Sequence, residues 1–387
     1  MLLGGYETFV AVIFAVLVYR LVRWAVPSRP VIRELALLAV NAVVLLAIVR
    51  EHTLIVLASL AVLVYLAGRA RRQAWALVAT MGVVALFALR NYEALRGLWP
   101  PFEGPLISVE RVGLSYIVFR MVHWLVDSRK GQIHSTTPLT FLNYIFFFPT
   151  FLAGPIDTYR NFHHGAHHLP RRAERAWLAY GAGRVVLGAA KTLLIVPFVK
   201  PWALDWHVTA TDTGLAQPAA LTLSLLAYSA YILFDFSGYS DIAIGVGRWM
   251  GFRLPENFRT PYFASNLADF WRRWHISFST FLRAYVFKPT IALLNRSARL
   301  AAHRDAVSIT AYLSTFLICG LWHGDALHFA VWGLWHGAGL AVGKLWRERW
   351  RPSWARGRAY ELASTALTFG FVTAGWFWFH YPISTFR

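Results

Sequence analysis

Residues 308–346 read SITAYLSTFLICGLWHGDALHFAVWGLWHGAGLAVGKLW. Two apolar runs, about 306–322 and 326–343, flank Gly324 and Asp325. Each run is long enough for a membrane-crossing helix, and a turn at Gly324–Asp325 would make them a helical hairpin. The pentapeptide GLWHG occurs twice and sets His323 and His336 in apolar surroundings, with Asp325 and His328 between them. On one unbroken helix the two imidazoles would lie ~20 Å apart and point to different sides. Across a turn, His336 would still lie ~15 Å or more deeper along the second helix. Either geometry lets only one of them touch a given reacting atom. Polar groups inside spans also act as glue between helices, which is the expectation for His336. Ionisable groups there mark functional sites, which is the expectation for His323.

The rest of the chain is built alike. Of 387 residues, 57% are hydrophobic and 15% charged, against roughly 25% charge in soluble domains. Further apolar runs fall at about 8–24, 35–49, 53–67, 74–89, 107–126, 177–197, 218–236 and 359–379. In lipid a span must satisfy its own backbone hydrogen bonds, and these runs lack the period-two alternation of barrel strands. The fold class is therefore all-α, a polytopic integral membrane bundle. The first run has no basic stretch before it and no small-residue cleavage site after it, so it reads as a retained span. The net charge of +19 sits in short loops between runs, which suits orientation signals and anionic headgroups rather than nucleic acid. The single cysteine, Cys319, excludes an internal disulfide and a cysteine-rich metal site.

Charge orders the loops. Arg20, Arg23, Arg29 and Arg33 lie in the first loop and Arg69, Arg71 and Arg72 in the third. Arg50 with Glu51, and Arg90 and Arg96 with Glu93 and Glu103, leave the second and fourth near balance. The positive-inside rule puts loops one and three in the cytoplasm and the N-terminus outside. The same count puts the C-terminus outside, in a multi-pass protein of the cell (inner) membrane. The segment PLTFLNYIFFFPTFLAGPIDTYRNFHHGAHHLPRRAER, 138–175, is short in its apolar part, broken by Pro149, Gly154 and Pro155, and basic beyond. It reads as a re-entrant or interfacial element with both ends cytoplasmic, its irregular backbone covered by protein or lining a cavity. HHGAHH pairs His163 with His167, and His164 with His168, four residues apart. That spacing could chelate a metal on a helix, but Gly165 and the lack of a carboxylate in the cluster argue for solvated or interfacial histidines and no metal site.

Residues 248–304 carry ten Arg or Lys and few acids, hence a cytoplasmic expectation. Within them Phe270, Trp274, Phe278, Phe281 and Leu282 recur at helical spacing, as on one face of one helix. Arg272, Arg273, Arg283 and Asp269 mostly fall elsewhere, as on an interfacial helix with snorkelling arginines. That pattern leaves His275, between Trp274 and Ile276, unexplained.

Three stretches together resemble one family. They are FPTFLAGPIDTYRNF, then FDFSGYSDIAIGVGRWMGFRLPENFRTPYFASNLADFWRRWHISFSTFLRAYVF, then CGLWHGDALHFAVWGLWHG. Over about 110–345 the sequence is similar to the membrane-bound O-acyltransferases (MBOATs). The similarity is to the bacterial branch that acylates extracytoplasmic polysaccharide and teichoic acid (DltB/AlgI-like). The resemblance implies a helix bundle with a funnel on each face and a thin waist. It also implies an essential histidine at His323 and a second polar position at His275. Trp274, Trp322, Asn257, Asp235 and Asp241, all in the matched motifs, are expected to bind substrate or shape the cavity. LRAYVFKPTIALLNR departs from the family's pattern, with Ala284 where Asp is common, which points toward the D-alanyl branch without deciding it. The chain divides on this reading into N-terminal spans (1–105), a core with the sites (106–345) and a basic loop with a last span (346–387).

The function expected is transfer of a small acyl group, D-alanyl or acetyl, to a hydroxyl of an extracytoplasmic glycan, teichoic acid or relay acyltransferase. No bound cofactor is expected. The donor is a cytoplasmic co-substrate, acyl-CoA or the phosphopantetheinyl thioester of an acyl-carrier protein. His323 would be the general base, kept neutral by an apolar site. His275, Arg272 and Arg273 would serve the acidic donor, although surface anchoring is an equal reading of the arginines. A transporter or flippase, or a lipid O-acyltransferase, would use similar residues. Only a transporter needs no hydroxyl near His323.

Overall fold

The structure is a computed structural model that describes residues 5–70, 73–91, 113–133, 135–167, 174–203, 205–350, 352 and 356–381. Arg71, Arg72, Glu93, Arg96, Glu103, His168, Arg171, Arg172 and residues 107–112 of the fifth expected span lie outside the described residues. Among the described residues there are helices and no strands. In order they are α1 Gly5–Ala25, α2 Pro30–Leu46, α3 Glu51–Arg69, α4 Gln73–Asn91, α5 Leu114–Arg129, α6 Pro138–Ile145, α7 Tyr159–His167, α8 Glu174–Ala190 and α9 Val196–Ala203. They continue with α10 Trp206–Thr213, α11 Gln217–Trp249, α12 Leu267–Arg273, α13 Ile276–Leu282, α14 Lys288–Leu294, α15 Ala298–Ala301, α16 Arg304–His323, α17 Leu327–Leu345 and α18 Arg358–His380. Among the described residues, four stretches are long and apolar enough to cross a membrane: Arg175–Ala203, Gln217–Trp249, Arg304–His323 and Arg358–His380.

The chain forms two compact units, Met1–Gly188 with Tyr239–Pro255, and Ala189–Gly238 with Glu256–Arg387. The first unit holds the broken segment after Pro138. Pro138 starts α6 at the position where a missing N–H costs nothing, and the Thr137 side chain caps it by accepting from the Thr140 N–H. A 3-10 turn, Phe148–Thr150, follows. The carbonyls freed by the break are gathered by Arg120 of α5, which is 1% exposed. Its guanidinium donates to the carbonyls of Tyr144 (3.1 Å) and Ile145 (2.8 Å) and to both oxygens of Thr150. Asn41 of α2 accepts from the Phe148 N–H at 3.1 Å. Irregular backbone is thus covered by buried polar side chains, as a low-dielectric setting requires.

Two expectations differ from what the structure shows. The run expected to end near 236 continues as α11, unbroken from Gln217 to Trp249, ~50 Å at the usual rise, so Asp235 and Asp241 both lie inside the helix. Gly245 within it serves packing: a Cβ there would lie 2.6 Å from the Gly181 carbonyl oxygen. Asp241, 4% exposed, pairs with Arg184 at 2.5 Å. His163, His164 and His167 of the histidine cluster are helical, but a carboxylate does reach them, from α2. His167 Nε2 meets Glu34 at 3.1 Å, and its Nδ1 meets the His163 carbonyl at 2.9 Å. Both ring nitrogens of His167 are therefore engaged, leaving no lone pair for a metal. The Glu34 hydrogen bond raises the His167 pKa.

In the second unit α16 and α17 form the expected antiparallel hairpin, turning over Gly324–Ala326. The first glycines of the two pentapeptides face each other across it. A Cβ on Gly320 would lie 2.1 Å from the Phe329 carbonyl oxygen, and one on Gly333 would lie 2.1 Å from the Phe316 carbonyl oxygen. The repeat is therefore a close crossing of two backbones, which only small residues permit.

Candidate active site

The helix expected through Phe270–Leu282 is two helices. The Asn266 side chain caps α12 through the Asp269 N–H. The helix stops at Trp274, and His275 takes a left-handed conformation, φ 41° and ψ 54°, before α13 begins. All five apolar residues of the pattern are nonetheless buried, since the break keeps both pieces facing inward. The kink places the His275 ring, 5% exposed, against Phe236 of α11 (4.6 Å between centroids) and Phe278 of α13 (4.9 Å).

His323 closes α16. Gly324 is extended (φ 169°) and ends the helix there, so the imidazole stands at a helix terminus and is partly exposed. Phe379 of α18 lies edge-on to it at 4.8 Å and Trp332 of α17 at 5.2 Å. Trp322 links the two histidines: its ring lies 4.5 Å from His323, 4.4 Å from Phe278 and 6.4 Å from His275. Burial first, and the nearby His323 second, hold the His275 imidazole well below its ordinary pKa. His275 is therefore neutral near pH 7, with one nitrogen to donate and one to accept.

The other expected residues fall into distinct settings. Trp274 is stacked in the interior on Phe270 (5.6 Å) and lies near Phe258 (5.1 Å) and Trp376 (5.5 Å). Asn257 is fully buried and bonded to backbone and side chain just past His275. Arg272 and Arg273 both pair with Asp269, at 3.3 and 2.8 Å, so one carboxylate already offsets part of their charge. Asp235 lies mid-helix in α11, partly exposed. Asp241 belongs to the first unit and its ion pair with Arg184. His336 is fully buried between Trp332 (4.9 Å) and Trp271 (5.2 Å). Neither of its ring nitrogens has a hydrogen-bond partner among the described residues. His328, also buried, is tied through Nδ1 to the Trp378 carbonyl at 2.9 Å.

Sequence reasoning missed Arg120, which looked like one charge in an apolar run, and the glycine crossing, whose signal was the GLWHG repeat itself.

Residues 106–381 match the family described as MBOAT, membrane-bound O-acyltransferase. The chain belongs to that family. Among similar proteins, a teichoic acid D-alanyltransferase of Bacillus subtilis is 30% identical over 74% of this chain and 74% of its own length. The probable alginate O-acetylase AlgI of Azotobacter vinelandii is 36% identical over 67% of this chain and 50% of its own. A peptidoglycan O-acetyltransferase of Helicobacter pylori is 32% identical over 76% of this chain and 58% of its own. This chain thus spans about half the length of its alginate relatives and three quarters of the teichoic acid relative. The relatives place the chain in the DltB/AlgI-like branch.

Proposed function

We propose that this chain moves a small acyl group, D-alanyl or acetyl, from a cytoplasmic thioester to a hydroxyl on an extracytoplasmic glycan, teichoic acid or relay protein. The observation that carries the reading is the meeting of His323 and His275 across the Trp322 ring, at the end of α16. In the reaction the acceptor hydroxyl attacks the thioester carbonyl carbon. A neutral His323 takes the hydroxyl proton as the C–O bond forms, and the C–S bond then breaks. The proton passes to the departing thiolate, so no metal or covalent intermediate is required. General-base help of this kind is worth ~10²–10⁴-fold. His275, on the donor side, donates its N–H to the carbonyl oxygen, where negative charge grows in the transition state. The basic stretch with Arg272 and Arg273 attracts the phosphates of coenzyme A or an acidic carrier protein.

The test is thioester cleavage in proteoliposomes, with acetyl-coenzyme A and a D-alanyl carrier-protein thioester tried in turn against a glycan acceptor. His323→Ala and His323→Gln should both abolish acceptor-dependent thiol release. Full transfer by both variants refutes the base assignment, and substrate movement without thiol release supports a transporter instead. The orientation that goes with this reading puts both termini outside. Asp212→Cys should then be labelled from outside intact cells and Arg299→Cys only after permeabilisation, with Cys319 silent because it is buried.

A further inference from the structure

We propose that Asn257 is a positioning residue for His275: its side chain and carbonyl hold the left-handed turn that aims the imidazole. The inference rests on the reading of His275 as a working residue of acyl transfer. A positive φ outside glycine is uncommon and persists where the surroundings over-determine it. Only two described non-glycine residues have one, Thr260 and His275.

At His275 the over-determination comes from hydrogen bonds on both sides of the turn. A helix start leaves its first N–H groups without intrahelical partners, and the residue before it usually caps them with its own side chain. His275 stands in that place before α13 but makes no such cap, and its ring faces Phe236, Phe278 and Trp322 instead. Asn257, from the irregular segment before α12, supplies the bonds. Its carbonyl accepts from the Ile276 N–H at 2.9 Å. Its Oδ1 accepts from the Ser277 hydroxyl at 2.6 Å and, more loosely, from the Ser277 N–H at 3.4 Å. Two residues on, the Arg259 N–H donates to the Arg273 carbonyl at 3.0 Å. The chain around His275 is thereby fixed on both sides of the kink. The cap is thus provided from elsewhere in the chain, and the turn does not draw on the His275 side chain for it. At 0% exposure Asn257 is out of reach of substrate, so any effect it has on transfer passes through the turn.

The experiment is a double-mutant cycle on the full-length protein in proteoliposomes, read as thiol release from whichever thioester the wild type accepts. Asn257→Ala should lower kcat by roughly 10–100-fold, the scale of a misplaced catalytic group, with KM for the thioester little changed. In a His275→Ala background the same substitution should cost less than about 2-fold, because the residue it acts through is gone. Ser277→Ala, which deletes one of the bonds, should fall between. Asn257→Asp, which keeps the acceptor oxygen, should recover activity relative to Asn257→Ala. An equal loss in both backgrounds, or full kcat in a folded Asn257→Ala protein, overturns the proposal. Should Asn257→Ala fail to fold, Ser277→Ala and Asn257→Asp run the same cycle. A second readout needs no activity: in 13C-histidine-labelled protein, the His275 Cα resonance, assigned by its loss in His275→Ala, should leave the left-handed range in Asn257→Ala and Ser277→Ala and stay in it in Asn257→Asp. An unmoved resonance in Asn257→Ala and Ser277→Ala overturns the proposal even if transfer is real. Unimpaired thiol release by His275→Ala and His323→Ala overturns the transfer reading instead.

Discussion

The two copies of GLWHG share every residue and almost nothing of their surroundings. In the first, the pentapeptide ends a helix, so His323 stands at a terminus, partly exposed, one indole away from His275. In the second it lies mid-helix, and His336 is sealed among aromatic rings. What the copies do share is their first glycine, and those two glycines meet. The repeat therefore records a packing symmetry, the crossing of α16 and α17. In the proposed function, the chemistry depends on where each histidine falls relative to the turn.

The largest effect that could break this contrast is on transfer. His323→Ala should cut kcat by ~10²–10⁴-fold while melting shifts little, since the ring is partly exposed. His336→Phe should stay within about 3-fold of wild type and hold or raise stability, because a ring of similar shape replaces a buried polar group. His336→Ala, which empties a packed site, should cost ~2–5 kcal/mol. The contrast fails if His336→Phe is as inactive as His323→Ala in a folded protein.

Next in size is the crossing. Gly320→Ala and Gly333→Ala each drive a methyl into a backbone carbonyl, which can move only if the helices part. Each should cost ~1–3 kcal/mol or more, measured as loss of folded protein on heating in detergent. Because both act on one contact, the double variant should cost less than the two singles together. Two additive, mild losses would show that the glycines do not meet.

How much of this was legible beforehand follows the range of the forces involved. Apolar runs set most helices within a few residues, as with Leu327–Leu345 and Arg358–His380, because lipid and core read the same side chains. The hairpin turn was visible in Gly324–Asp325. The motif resemblance pointed to His323 and His275 as expectations, but their meeting rests on Trp322 and on a kink that periodicity conceals: the count from Phe270 to Leu282 stays helical across a break at His275. Asp241 and Asn257 looked like polar groups available to substrate, and their partners, Arg184 and Ser277, lie 57 and 20 residues away. Arg120 and Glu34 show the same limit, since a buried charge reveals its purpose only through distant carbonyls or a distant imidazole.

The contrast between a paired and an unpaired buried polar group sharpens at Asp157, in the first unit. Its Oδ1 accepts from the Thr158 N–H at 2.8 Å, and both its oxygens accept from Asn161, at 2.8 and 3.0 Å. Burial still pushes its carboxyl up to about 7 against those hydrogen bonds. The folded state thus binds a proton more tightly than the unfolded chain. The resulting stability is complete below about pH 4 and is lost as pH rises through about 7. Asp157→Asn cannot ionise, so its melting temperature should gain on the wild type between pH 4 and 8, by the equivalent of ~1–3 kcal/mol. Parallel melting curves across that range would show that the carboxylate is not buried.

The finest test separates the last glycines of the two copies. A Cβ on Gly324 would lie 2.6 Å from the Phe329 ring, and a Cβ on Gly337 would lie 3.1 Å from the Leu313 Cα. The first obstacle is a side chain that can swing, and it lies over His323, with ring centroids 6.2 Å apart. The second is backbone that must shift by a few tenths of an ångström. Gly324→Ala should therefore act on chemistry, lowering kcat by about 3–10-fold through a displaced wall at nearly unchanged stability. Gly337→Ala should do the reverse, costing ~1 kcal/mol with kcat intact. If the two substitutions produce the same kind of loss, the copies are not specialised, and the turn at Gly324 does not divide a reacting end of the hairpin from a packing end.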